Sequence, residues 1–239
     1  MKPAPFEYFR PGSVGEAVAL LAEHDDAKPL AGGQSLVPML NFRLARPAAV
    51  VDLGAIDELA GIRVENGALV VGAMTRQWDL EHSPDAFPVL REALAHVGHP
   101  ATRCRGTVGG SLVHADPTAE LPVCALALGA ELVTNRRVIP AEEFFVSVFT
   151  TALEPGELLV EARFPQPTGP ASFHEVAHRD GDFAVVCVAR AGDRVAVGGV
   201  AAIPVLWDAG GIEPIGDLFA PAGYKREVAR ALVEKATAA

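Results

Sequence analysis

Cysteine is scarce in this sequence, and what there is has no pattern. Cys104, Cys124 and Cys187 stand far apart in 239 residues, with no C-x-x-C spacing. An odd, scattered set argues against a disulfide framework and supplies no ligand cluster for zinc or iron–sulfur. The histidines include His96-x-x-His99 and His174-x-x-x-His178. They read as surface or loop residues, and no metal ligand is expected. Positive charge is in deficit as well. Lys and Arg number 20 against 30 Asp and Glu, a net −10, and the pairs Arg103/Arg105 and Arg136/Arg137 do not overturn it. Nucleic acid and anionic membrane are therefore disfavoured as partners. No uninterrupted apolar run reaches the roughly 18 residues of a membrane span. Met1-Lys2-Pro3-Ala4-Pro5 has none of the features of a secretory leader, so a cytoplasmic location is expected.

Three familiar site motifs are also missing. There is no G-x-x-x-x-G-K-[ST], no G-x-G-x-x-G and no G-x-S-x-G. ATP-type phosphate loops and ordinary nicotinamide binding lose ground, and neither Ser35 nor Ser111 reads as a hydrolase nucleophile. No side chain is nominated as catalytic.

What is present is glycine in a particular setting. Ala31-Gly32-Gly33-Gln34-Ser35-Leu36 and Thr107-Val108-Gly109-Gly110-Ser111-Leu112 each join a diglycine to a small hydroxyl residue and an apolar run. Without a Cβ, such backbone can approach a ligand closely and turn N–H groups toward it. Singly, each is a tight turn. Together they suit the two phosphates of a dinucleotide. The stretch 107–122 adds hydroxyls and two carboxylates, Asp116 and Glu120, which are good acceptors for ribose or ribitol hydroxyls.

Half of the chain is hydrophobic, enough for a sizeable core in one or two domains. Ser13 and Glu16 stand at capping-box spacing before a helix with Val14, Ala17, Val18 and Leu21 as its stripe. Strands are expected at 28–30 and 49–53, flanking the first glycine loop and a short helix. Asn66-Gly67 marks a hairpin between 62–65 and 68–71. Thr75 is expected to cap a helix, with further helices at 88–97, 117–128 and 224–236. A second hairpin turns at Asn135-Arg136, and a strand covers 158–164. The cluster Pro165-Gln166-Pro167-Thr168-Gly169-Pro170 reads as a domain boundary, followed by a three-stranded meander. The order is α+β, of short mixed strands rather than regular βαβ units.

Three stretches carry a family likeness: Ala31-Gly32-Gly33-Gln34-Ser35-Leu36-Val37-Pro38, Thr107-Val108-Gly109-Gly110-Ser111 and Arg179-Asp180-Gly181-Asp182-Phe183-Ala184. With this order and spacing, the chain resembles the FAD-binding medium subunits of molybdenum hydroxylases such as aerobic carbon monoxide dehydrogenase and xanthine dehydrogenase. The resemblance runs from Phe6 to about Gly199. It implies a PCMH-type, vanillyl-alcohol-oxidase-like α+β fold. A FAD-binding domain would cover 1–168, in subdomains of about 1–55 and 56–168. An abbreviated C-terminal domain, a three-stranded antiparallel sheet with a helix, would cover 169–239.

The resemblance also implies a site. Ala31, Gly32, Gly33, Gln34, Ser35 and Leu36 would hold the pyrophosphate, with Thr107, Gly110 and Ser111 on its other side. Glu120 would bind a cofactor hydroxyl, with Asp116 its rival, and Leu158 and Leu159 would contribute from the strand before the boundary. Asp182 and Phe183 would lie near the isoalloxazine, although Phe183 reads equally well as core of the meander. Ser111 departs from the Asn of many relatives, and 205–211 departs from the common pattern. The implied function is electron transfer. A large molybdopterin-binding subunit oxidises substrate, a small [2Fe–2S] subunit relays electrons, and FAD on this chain passes them to an external acceptor. The implied assembly is a dimer of heterotrimers. The rival readings are a stand-alone FAD-dependent reductase of the same fold and a non-catalytic nucleotide-binding module.

Overall fold

The computed structural model describes residues 1–208 and 212–238, so 209–211 of the divergent segment lie outside the described residues. The chain opens with β1 (Glu7–Phe9), α1 (Val14–Glu23), β2 (Lys28–Leu30), α2 (Leu36–Asn41) and β3 (Ala49–Asp52). Ser13 caps α1 by accepting the Glu16 N–H, as its spacing predicts. Glu16 answers on Gly12 N–H, so the reciprocal bond falls one residue early. The three strands form a parallel sheet in the order β1-β3-β2. Its centre, Ala49-Val50-Val51, is wholly buried, as a parallel strand covered on both faces should be.

The second unit contains β4 (Ile62–Glu65), β5 (Ala68–Gly72), α3 (Gln77–Glu81), α4 (Pro88–His96), α5 (Pro100–Arg103), α6 (Val108–His114) and α7 (Glu120–Leu128). Then come β6 (Glu131–Thr134), β7 (Val138–Pro140), α8 (Ala141–Phe144), β8 (Phe145–Ser147), β9 (Thr150–Thr151) and β10 (Leu159–Pro165). Five strands make an antiparallel sheet in the order β4-β5-β10-β6-β7. Asn66 and Gly67 both take positive φ, the geometry of a type I′ hairpin. All nine residues of α7 are buried, which explains why its sequence is apolar on every side. It starts three residues later than expected. Asp116 Oδ1 accepts both the N–H and the hydroxyl of Thr118, and this Asx turn keeps 116–119 out of the helix.

Thr75 does not cap α3. Its hydroxyl accepts the Gly61 N–H and donates to the Gly61 carbonyl, both at 3.0 Å, tying the entry of β4 to the exit of β5.

The last unit is β11 (Ala171–Ala177), β12 (Ala184–Ala191), β13 (Arg194–Gly198), β14 (Val205–Leu206) and α9 (Ala222–Thr237). The sheet is antiparallel and four-stranded, not three-stranded as expected, because the two-residue β14 pairs with β13. Its two faces have different neighbours. Phe173, Cys187, Ala189 and Ala196 join the core built on α4 and α7, while Val186, Val188 and Val197 pack on Ala229, Leu232 and Val233 of α9. Burial on both faces accounts for the unbroken apolar run of β12. Each large apolar side chain buried there contributes about 1.5–3 kcal/mol.

Candidate functional site

The first diglycine segment leaves the carboxyl end of β2, where open parallel sheets present backbone to ligands. Gly33 has φ +74°, a conformation that side chains strain to adopt. Ser35 stands at the cap position of α2, but its hydroxyl makes no capping bond. Leu36, half-buried, begins that helix. The Gln34 amide bonds back to the Gly32 carbonyl at 3.2 Å. Among the described residues, no acceptor takes the backbone N–H of Gly32, Gly33, Gln34, Ser35 or Leu36. Five consecutive free donors in a half-exposed loop call for water or ligand oxygens, and a row of them favours an anion.

The second segment is a helix rather than a loop. Thr107 caps α6, its hydroxyl accepting the Gly110 N–H at 3.0 Å. Val108 N–H donates to Thr75 O, Gly109 N–H to Ala73 O, and Ser111 N–H to Thr107 O. The amides of 108–111 are thus all engaged within the chain, correcting the expectation that both segments offer bare N–H groups. Here glycine provides closeness. A Cβ on Gly109 would lie 2.5 Å from Ala73 Cβ and 2.7 Å from Ala73 O. One on Gly110 would lie 2.6 Å from Thr107 Oγ1 and 3.5 Å from Ala31 Cβ, and one on Gly32 would overlap the Arg105 carbonyl oxygen. The first segment thus lies against the backbone that leads into α6.

Around that junction α6 contributes the hydroxyls of Thr107 and Ser111. Asp116 is half-buried and engaged with Thr118. Glu120 is buried at the start of α7, and no side-chain donor among the described residues reaches it. Burial pushes its carboxyl up to about 7, opposed by its own backbone N–H and aided by the Asp116 charge. A buried acceptor of this kind suits a ligand hydroxyl.

The loop 178–183 closes over the turn after α4: a Cβ on Gly181 would lie 2.7 Å from His99 Cε1 and 3.0 Å from Gly98 O. Asp182 is exposed and Phe183 is 69% exposed, so Phe183 does not pack in the meander's core. Leu158 and Leu159 are buried. Leu158 belongs to the small core on which Ala31 packs, and its N–H and carbonyl are both bonded to Asn135.

Two arginines were missed as parts of this framework. Arg103 is buried, forks onto both Glu81 oxygens, and donates to the carbonyls of Val97 and Gly98. It fixes the turn that Gly181 touches. Arg76 donates to the Arg105 carbonyl at 2.5 Å, the same carbonyl that Gly32 approaches. A cleft of about 390 Å³ opens beside Arg76, lined also by Leu53, Gly54, Asp57, Gly61 and Met74. None of the residues expected to bind the cofactor lines it, because its walls come from 53–62 and 74–79, outside the glycine motifs.

A family profile described as "FAD binding domain in molybdopterin dehydrogenase" matches residues 4–167. The chain belongs to this family. It is 46% identical over 195 residues to the caffeine dehydrogenase subunit beta of Pseudomonas sp. strain CBB1, covering 77% of this chain and 66% of that one. The carbon monoxide dehydrogenase medium chain of Hydrogenophaga pseudoflava is 43% identical over 195 residues, covering 77% and 68%. A solved structure of carbon monoxide dehydrogenase from Hydrogenophaga pseudoflava, lacking the Mo-pyranopterin moiety, superposes with a TM-score of 0.94 at 36% identity. That superposition covers 100% of this chain and 98% of the other. The chain thus spans about two thirds of the length of the curated relatives it matches. The fold is the PCMH-type FAD-binding fold, and its cofactor is FAD. The residues fit that group: free amides in a positive-φ loop for a diphosphate, and a buried carboxyl without a side-chain donor for a hydroxyl. Among the described residues, no helix is long and apolar enough to cross a membrane, and no cluster of His, Cys, Asp or Glu offers a metal site.

Proposed function

We propose that this chain is the electron-transfer subunit of a heteromeric molybdenum hydroxylase. The reading rests on one observation above the others: the five free amides of 32–36, held against the carbonyl that Arg76 also grips. The loop 31–36 holds the FAD diphosphate. Thr107, Gly110 and Ser111 bound it from the α6 side, and Glu120, with Asp116 beside it, accepts a hydroxyl. Asp182 and Phe183 flank the ring system, where an exposed aromatic shields one face without donating or accepting a hydrogen bond. Leu158 and Leu159 support the loop from the core. Residues 1–168 form the FAD-binding domain and 169–239 the C-terminal domain.

When bound, FAD supplies the link between single-electron carriers and an external acceptor. The chain's own residues bind it, orient it and set its electrostatic surroundings. The partners in this reading are a large molybdopterin-binding subunit and a small [2Fe–2S] subunit in a dimer of heterotrimers, located in the cytoplasm. The caffeine dehydrogenase and carbon monoxide dehydrogenase relatives support this choice. The test is purification from the native host. Flavin, iron and molybdenum are expected to co-elute with this chain and two others. A flavin-containing chain that elutes alone and reduces a small substrate would instead establish a stand-alone reductase, and a colourless chain that rejects FAD would contradict both.

A further inference from the structure

Beyond the diphosphate loop, α2 and the turn that ends it carry an apolar surface that the rest of the chain leaves open. Phe42 is 63% exposed and Leu44 76%, and Val37 and Met39 are exposed with them. Met39 and Phe42 stand three residues apart, on one side of the helix. The N–H groups of Leu44 and Ala45 both donate to the Met39 carbonyl, at 2.9 and 3.2 Å, which folds Leu44 back beside Met39. Exposed apolar residues such as Val64 and Val138, at opposite edges of the five-stranded sheet, stand singly. Those of 37–44 are gathered in one short segment, the arrangement that marks an interaction surface.

The turn is firmly held. It closes through Arg43, whose φ of +58° is the left-handed conformation in which helices usually place glycine. Arg43 N–H donates to the Leu40 carbonyl at 3.0 Å and its Nε to the Lys2 carbonyl at 3.2 Å. Arg46 Nε in turn donates to the Arg43 carbonyl at 3.0 Å. A strained arginine braced in this way keeps Phe42 and Leu44 outward. At the other end Val37 ties the segment to the diphosphate loop. Its N–H donates to the Gly33 carbonyl at 3.0 Å, and a Cβ on Gly33 would lie 3.0 Å from Val37 Cγ2. Charge is segregated here as well. Residues 27–51 hold Lys28, Arg43 and Arg46 and no Asp or Glu, in a chain of net −10. Lys2, Arg43 and Arg46 are all exposed, and among the described residues none of them pairs with a carboxylate.

We propose that this cation-rimmed apolar face of α2 is the docking surface for the small [2Fe–2S] subunit. The proposal rests on the heteromeric reading given above and names a contact within it. An iron–sulfur cluster held by four thiolates carries net negative charge, so the protein surface over it is complementary to an arginine rim. The apolar centre supplies the desolvated core of a contact and the rim selects its partner. Isologous pairing of two copies of this chain would instead set the same arginines against each other. Position favours the electron carrier over the subunit that oxidises substrate. The six residues of α2 span about 9 Å, so a partner seated on Phe42 lies close to the FAD loop, as an electron donor must.

The test is hydroxyl-radical footprinting of the wild-type chain in three states: alone with FAD, in the complete complex, and co-expressed without the small subunit. Met39, Phe42 and Leu44 should be labelled in the first and third states and protected in the second. Labelling in the complete complex, protection that persists without the small subunit, or an isolated chain that dimerises with these residues protected overturns the proposal. Two double variants then measure the contact. Phe42→Ser/Leu44→Ser should weaken binding of the small subunit roughly thirtyfold, the loss expected at an interface hot spot. Arg43→Gly/Arg46→Glu, which also relieves the left-handed backbone, should weaken it roughly tenfold at low salt and much less at high salt. FAD per chain should stay at the wild-type level in both, since neither alters 31–36. Wild-type affinity for the small subunit in both variants contradicts the proposal. Three chains that never co-elute would end the heteromeric reading and this proposal with it, whereas a complete complex with the face still open removes this proposal alone.

Discussion

The two diglycine segments are alike in composition and opposite in what they do. In the first, Gly33 takes a positive φ and the amides of 32–36 are left without acceptors. In the second, Gly109 and Gly110 are helical, their amides are bonded to Ala73 and Thr107, and their bare Cα atoms let α6 lie against β5 and Ala31. One segment uses glycine for conformation and the other for proximity. The lesson is that a diglycine beside a hydroxyl marks backbone crowding, and only the hydrogen-bond partners say whether a ligand or the protein itself does the crowding.

The comparison is most severely strained by Gly109→Val. The branched side chain would meet the Ala73 backbone at under 3 Å, and overpacking of that kind costs about 3 kcal/mol or more. Urea unfolding should report this loss equally with and without FAD. A variant of wild-type stability would show that α6 does not need the contact.

Next in size is the pH dependence carried by Glu120, the one strongly perturbed group next to the second segment. Its folded-state value is raised to about 7 from an ordinary 4.5, so its contribution is fully present below about pH 4.5 and is lost as the pH rises toward 7. The shift corresponds to about 3 kcal/mol of stability without ligand. Unfolding at pH values on either side of this window should show the decline, and Glu120→Gln should flatten it.

A smaller effect on stability, but a larger one on binding, is expected at Gly33. Alanine there costs about 1–2 kcal/mol for the left-handed backbone, and asparagine costs less. Gly33→Val should yield apoprotein, measured as flavin per chain. Gly110→Val should lose flavin as well, by displacing Thr107 rather than by touching the diphosphate. The smallest change is Thr107→Val, which removes the α6 cap at a cost of about 1 kcal/mol in thermal or urea unfolding.

What could be read from residues alone was whatever local geometry decides. The Asn66-Gly67 hairpin, the Ser13 cap and the long helices at 88–97 and 224–236 needed only their own sequences. Thr75 was misread because its hydroxyl is claimed by Gly61, fourteen positions away in the chain. β14 escaped notice because two residues carry no periodicity. The positions of the glycine segments were legible, but their different roles were not, since Ala73 and Arg105 decide them through space. Arg103 read as half of a basic pair, yet buried forking onto Glu81 makes it structural. His174-Glu175-Val176-Ala177-His178 has the H-E-x-x-H spacing of a zincin, but it runs along strand β11 instead of a helix, so His174 and Glu175 lie on opposite faces of the sheet.

Amide hydrogen exchange measured residue by residue, with and without FAD, tests the central contrast most directly. The amides of 32–36 should exchange rapidly in the free chain and become protected when FAD binds, while those of 108–111 are protected in both. Stoichiometric FAD binding that leaves exchange at 32–36 unchanged would contradict the placement of the diphosphate on the first loop.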